Sequence, residues 1–84
     1  MGILKDTFYE KAKELALVRE ELEYRPMDEG LIEKEKNLIL EVNKLYVDYL
    51  KELEYIKDVI GKKEYKRLLY EAYNMASKGI KYVN

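Results

Sequence analysis

The sequence predicts an all-α protein, a three-helix up-down-up antiparallel bundle with a long central helix that assembles further as a dimer. Three observations predict it. Apolar residues recur at three- and four-residue steps along the whole chain, which is the spacing of one helical face. Only two places punctuate the chain strongly, Tyr24-Arg25-Pro26-Met27-Asp28-Glu29-Gly30 and Gly61. The apolar stripe also changes phase at Gly61, so the chain must turn there.

The first helix is expected over about 4–24. Leu4, Phe8, Ala12, Leu15, Val18 and Leu22 share one face. Thr7-Phe8-Tyr9-Glu10 has the form of a capping box, which leaves open a start at Thr7 rather than near Ile3. Pro26 has no amide hydrogen and disfavours α geometry at Arg25, which stops the helix near Tyr24.

The second helix is expected over about 28–60. Asp28 is its candidate N-cap, and Met27 and Ile32 hold the two places of a hydrophobic staple. Its apolar residues fill three adjacent heptad columns. Leu31, Leu38, Leu45 and Val59 form one, Val42, Tyr49 and Ile56 a second, and Ile32, Ile39, Tyr46, Leu53 and Ile60 a third. Together they make a face about 100° wide, the width of a core-facing helix.

The third helix is expected from Lys62 to about 78, or on to 83, with Tyr65, Leu68, Leu69, Ala72, Met75, Ala76, Gly79 and Val83 on its stripe. If it merely continued the second helix, Lys63, Lys66 and Arg67 would fall on the apolar face. The pattern instead restarts about 200° away at 100° per residue, and a tight turn at Gly61 lets both stripes face one core. The close spacing of Ala72, Ala76 and Gly79 should let this helix approach a neighbour closely.

Length then carries the argument past the monomer. An 84-residue chain buries a small core for its surface. The second helix, at roughly 49 Å, overhangs at least one neighbour by on the order of 15 Å. Leu40, Val47 and Leu50 lie off its main stripe. A second copy of the chain is the simplest cover for that surplus apolar surface, with another helical protein as the alternative partner.

Composition excludes most chemistry. Cys, His, Trp and Gln are absent, and Ser77 and Thr7 are the only hydroxyl residues besides tyrosine. Disulfides, thiolate nucleophiles, Cys- or His-ligated metals and the commonest general base are therefore unavailable to the chain. No Gly-rich phosphate loop occurs, and Asp28-Glu29-Gly30 lacks the remaining spacing of a calcium loop. A carboxylate pair would have to use Glu35 and Glu52, which fall on the apolar face; the plainer reading has each reach water at an edge or meet a Lys or Arg. The expectation is a non-enzymatic protein without cofactor, metal or small-molecule substrate. Lacking a membrane-length apolar run or a leader pattern, it is expected to be cytoplasmic. The richness in Lys, Glu, Ile and Tyr leans towards a hyperthermophile, although an AT-rich genome biases composition the same way.

Charge is better read by position than in total. The whole chain carries 16 basic and 17 acidic residues. Residues 1–60 hold ten basic and fifteen acidic residues, whereas residues 61–84 hold six and two. In that basic third Lys62, Lys63, Lys66, Arg67, Lys78 and Lys81 alternate with Tyr65, Tyr70, Tyr73 and Tyr82, a pattern able to bind phosphates and stack on bases. The competing reading is a solvated face that balances two acidic helices.

Nine of the ten aromatic residues are tyrosine. Tyr46, Tyr49 and Tyr65 lie on the stripes, while Tyr9, Tyr24, Tyr55, Tyr70 and Tyr73 lie off them. Tyrosine off the core face suits a protein contact, since it brings area and a polar tip at low entropic cost. The sequence thus predicts a helical interaction module that self-associates through its second helix, with Leu40, Val47, Leu50, Tyr55, Tyr70 and Tyr73 as contact candidates. The alternative is a small nucleic-acid-binding regulator that uses Lys62, Lys63, Lys66 and Arg67.

Overall fold

A computed structural model describes the backbone of residues 2–80 and the side chains of residues 3–77. Within them the chain forms three helices and no strand: α1 (Gly2–Tyr24), α2 (Glu29–Ile60) and α3 (Lys62–Ile80). Lys81, Tyr82 and Val83 lie outside the described residues, as do the side chains of Lys78 and Ile80.

The boundaries follow local chemistry. Arg25 N–H closes the last turn of α1 on the Glu21 carbonyl at 3.0 Å, and Pro26 then forbids continuation. Arg25 to Asp28 forms a β-turn closed by Asp28 N–H on the Arg25 carbonyl at 3.2 Å, with proline in its favoured second position. Asp28 caps α2 as its sequence position suggests: φ is −72°, ψ is 108°, and its carboxylate accepts from Leu31 N–H at 3.1 Å. The hydrophobic staple does not close. Met27 occupies the tip of the β-turn and stands 85% exposed.

The capping box at Thr7 is also overturned. The Thr7 hydroxyl donates to the Ile3 carbonyl at 2.8 Å, a bond made inside a helix that has already begun at Gly2. Gly61 joins α2 to α3 by itself. Its N–H donates to the Lys57 carbonyl and its carbonyl accepts from Tyr65 N–H, both at 2.9 Å. That geometry needs φ of 89° and ψ of 156°, a region open essentially to glycine alone.

Cross-helix bonds fix the directions. Lys11 meets Glu41 and Arg19 meets Glu35, so α1 and α2 run antiparallel. Tyr65 of α3 reaches Glu54 of α2 across the Gly61 turn, and Tyr9 of α1 reaches Glu71 of α3. Each helix packs against the other two. The core takes Phe8, Ala12, Leu15 and Val18 from α1, Leu38, Val42, Tyr49 and Leu53 from α2, and Leu68, Ala72 and Ala76 from α3. Phe8 is fully buried at its centre, with the rings of Tyr9, Tyr46 and Tyr49 at 5.6–5.8 Å.

The described body measures 47 × 18 × 18 Å, so α2 alone sets its length. At 32 residues against 23 and 19, α2 outruns α1 by roughly 14 Å and α3 by roughly 20 Å. The pairings place the two overhangs at opposite ends. The start of α2 has α1 beside it but not α3, and its end has α3 but not α1. This corrects one member of the expected stripe. Leu45 and Glu52 line a hollow with Ile3, Leu4 and Thr7 at the start of α1. Val59, one turn-pair further along the same column, lies past that start and is 85% exposed.

Candidate interaction surface

Leu40 lies nine residues from both Leu31 and Tyr49, which is about 180° around the helix from the core side. It is 69% exposed, and Val47, seven residues on, is 49% exposed. Leu50 is half-buried beside them. The same heptad column continues to Glu54, whose carboxylate accepts from the Tyr65 hydroxyl at 2.6 Å. The Leu40–Val47 column therefore runs down the outer side of α2 and meets the α3 border at Glu54.

From Tyr65 the matching edge of α3 steps by four residues to Leu69 and Tyr73. The two helices are antiparallel, so Val47 and Tyr73 stand at similar heights. Tyr73 and Tyr70 are both largely exposed. The fold thus gathers four of the six contact candidates, Leu40, Val47, Leu50 and Tyr73, on the outer side of α2 and its α3 border, whereas Tyr70, about 140° round α3 from Tyr65, is exposed apart from them. Tyr55 does not join them. It shares a column with Asp48, about 80° round from Val47, and is 90% exposed on its own.

Two further residues depart from their expected roles. Tyr9 is no free contact group. It is half-buried, donates to Glu71 Oε1 at 3.2 Å and has the Lys5 ammonium 5.5 Å from its ring centroid. Burial first, and the Glu71 carboxylate second, push its hydroxyl pKa up to about 12. Tyr9 thereby ties α1 to α3. Arg67 is likewise engaged, held by Glu64 through Nε at 2.8 Å and by Glu71 through Nη1. Those carboxylates hold its proton still more firmly than usual, and its charge is largely answered within α3.

Lys62, Lys63 and Lys66 are exposed and make no ion pair among the described residues. Lys57, Lys62 and Lys66 surround Tyr65 in a hollow of about 280 Å³. Among the described residues the basic patch is therefore made of lysines, with the Arg67 guanidinium engaged by Glu64 and Glu71.

The two stripe carboxylates do not form a pair. Glu35 accepts from Arg19 Nε at 2.9 Å, and the Arg19 side chain is only 5% exposed. Glu52 lies seventeen residues away, on the order of 25 Å along the helix. Its Oε2 is buried between two open hollows with no hydrogen-bond partner among the described residues. No group of three carboxylates among the described residues is arranged to hold a metal ion. No described helix is long and apolar enough to cross a membrane.

The sequence reading missed Arg19 and Leu17. Arg19 follows Leu15 by four residues and precedes Leu22 by three, which places it on the apolar face of α1; that spacing was the available signal. Leu17 is 60% exposed and lies seven residues before Tyr24, itself 81% exposed. The pair forms a smaller apolar strip on the acidic outer side of α1. Comparison with protein families, characterised proteins and solved structures finds no match to this chain.

Proposed function

We propose that this chain is a non-enzymatic helical interaction module that self-associates as a dimer through the outer face of α2. The observation that carries the reading is the exposed Leu40–Val47 column on the side of α2 turned away from its own core. Leu50 adjoins it, and the exposed ring of Tyr73 lies on the neighbouring edge of α3. Apolar groups aligned on one exposed edge gain most from burial against a complementary helix.

Val47→Asp tests this with little risk to the fold, because the side chain already faces water. The variant is expected to keep its helicity and lose the dimer. A chain that sediments as a 10.1 kDa monomer, with or without the substitution, rejects the proposal.

One observation favours a second reading, a small nucleic-acid-binding regulator. Among the described residues Lys62, Lys63 and Lys66 make no ion pair, and Tyr70 lies one helical turn beyond Lys66. Lysine contacts to phosphates make affinity fall steeply with salt. Binding to duplex or single-stranded DNA at low salt, weakened by Lys63→Glu and by added salt, would support this reading. The absence of any shift at low salt would exclude it.

A further inference from the structure

The exposed side of α2 carries more than its apolar centre. Glu33, Lys36, Leu40, Asn43, Val47, Leu50, Glu54 and Lys57 follow one another in alternating steps of three and four residues. That is the repeat of a helix–helix seam. All but Leu50 are exposed, and Leu50 is half-buried. The seam is apolar at its middle and charged at both ends, and the order of signs at the two ends is what matters. The N-terminal end reads acidic then basic, Glu33 and Lys36, and the C-terminal end repeats that order with Glu54 and Lys57, which pair with each other at 2.9 Å yet keep about half of each side chain open to a partner.

Resting on the self-association proposed above, we infer that the partner is a second copy whose α2 lies antiparallel, about a twofold axis level with Leu45. Leu40 then faces Leu50 of the second copy, and Asn43 faces its Val47. Lys36 faces Glu54 and Glu33 faces Lys57, so every charged layer pairs opposite signs, and the twofold axis makes each pairing occur twice. A parallel pairing in the same register sets each of these four charged residues against its own copy, like against like. Lys44 meets its own copy across the axis, but at the outer rim where solvent and salt screen it.

Shape agrees with charge. α3 borders only the C-terminal part of α2, and the antiparallel arrangement brings the α3 of the second copy level with the N-terminal part that lacks one. The surface carries its own mates in charge and in length, which identifies a second copy, rather than a different protein, as its occupant.

Charge exchange tests the register without touching the apolar centre. Glu33→Lys with Lys36→Glu turns every charged layer of the homodimer repulsive, and Glu54→Lys with Lys57→Glu does the same from the other end. Either half-exchange is expected to raise the dimer dissociation constant by at least about tenfold, while all four substitutions in one chain, or an equimolar mixture of the two half-exchanged chains, restore it to within about threefold. Helicity by circular dichroism verifies that each variant folds.

A second probe is independent of charge. The chain has no cysteine, so Leu40→Cys and Leu50→Cys chains can be mixed and oxidised. A mixed disulfide between the two variants is expected. Like-with-like crosslinks, or half-exchanges that leave the dissociation constant unchanged, overturn the antiparallel register while leaving the dimer standing. A monomeric unaltered chain removes the self-association reading itself.

Discussion

Arg19 shows at a single position how this small core tolerates a charge. The residue is 6% exposed, and among the described residues its Nε is matched by Glu35 while Nη1 is buried without a partner. Glu35 is easier to release, because 27% of its side chain still meets water. The two truncations should therefore differ in size. Arg19→Met replaces a partly unsatisfied ion by an apolar chain of similar length and is expected to be neutral or stabilising. Glu35→Ala strands the buried guanidinium and is expected to cost about 2–4 kcal/mol in urea unfolding. The sequence singled out Glu35 from its column, but its partner emerged only when the helices were set antiparallel, since no local rule pairs residues sixteen apart. Tyr9 was similarly hidden. Its spacing marked it as off the stripe, yet the approach of α3 makes it a half-buried link. Its pKa gives it a signature in alkali. Below pH 10 folded and unfolded chains both keep the proton; between 10 and about 12 only the folded chain does, so stability falls as pH rises through that window. Tyr9→Phe is expected to flatten this decline in unfolding curves, with a residue of it left by Tyr49 and Tyr65, whose hydroxyls are also raised.

At the scale of elements, the helix ends that the sequence located are those set by residues with few alternatives. Pro26 cannot extend α1, Asp28 is well suited to cap α2, and Gly61 can adopt φ of 89° without strain. A Cβ at Gly61 would meet no atom within 4 Å, so the cost of Gly61→Ala is one of backbone conformation alone. It is expected to be about 1–3 kcal/mol, measured by thermal or urea unfolding, with a lesser cost of about 1 kcal/mol for Asp28→Ala. The start of α1 was not legible. Thr7 satisfies a capping motif by type, but its hydroxyl makes an equally ordinary bond to the carbonyl four residues back. Met27 fits a staple by position, but the β-turn that holds it points it into water. Both motifs depend on the path of the preceding chain, which a local pattern does not specify. Inside the elements periodicity served well, because Phe8, Leu15, Val42 and Leu53 sit where one face per helix would put them. Phe8→Ala, at the fully buried centre, is expected to cost about 3–5 kcal/mol.

For the whole molecule, the decisive feature is a central helix longer than its neighbours and apolar on more than one side. Its length and its surplus Leu40, Val47 and Leu50 were readable from spacing alone. Which neighbour leaves which end bare was not, since that requires the register of both hairpins. The register also separated the tyrosines. Tyr73 lies on the α3 edge next to α2, whereas Tyr55 and Tyr70 are exposed elsewhere. The split of charge along the chain changed meaning as well. Arg67 is bound up with Glu64 and Glu71, so among the described residues Lys62, Lys63 and Lys66 stand without ion pairs in place of a mixed Arg/Lys patch. The central claim, that two copies bury the outer face of α2, is tested most directly by sedimentation equilibrium of the unaltered chain across the micromolar range. A mass approaching twice 10.1 kDa that returns to the monomer value on Val47→Asp is expected. A monomer at every concentration would contradict it.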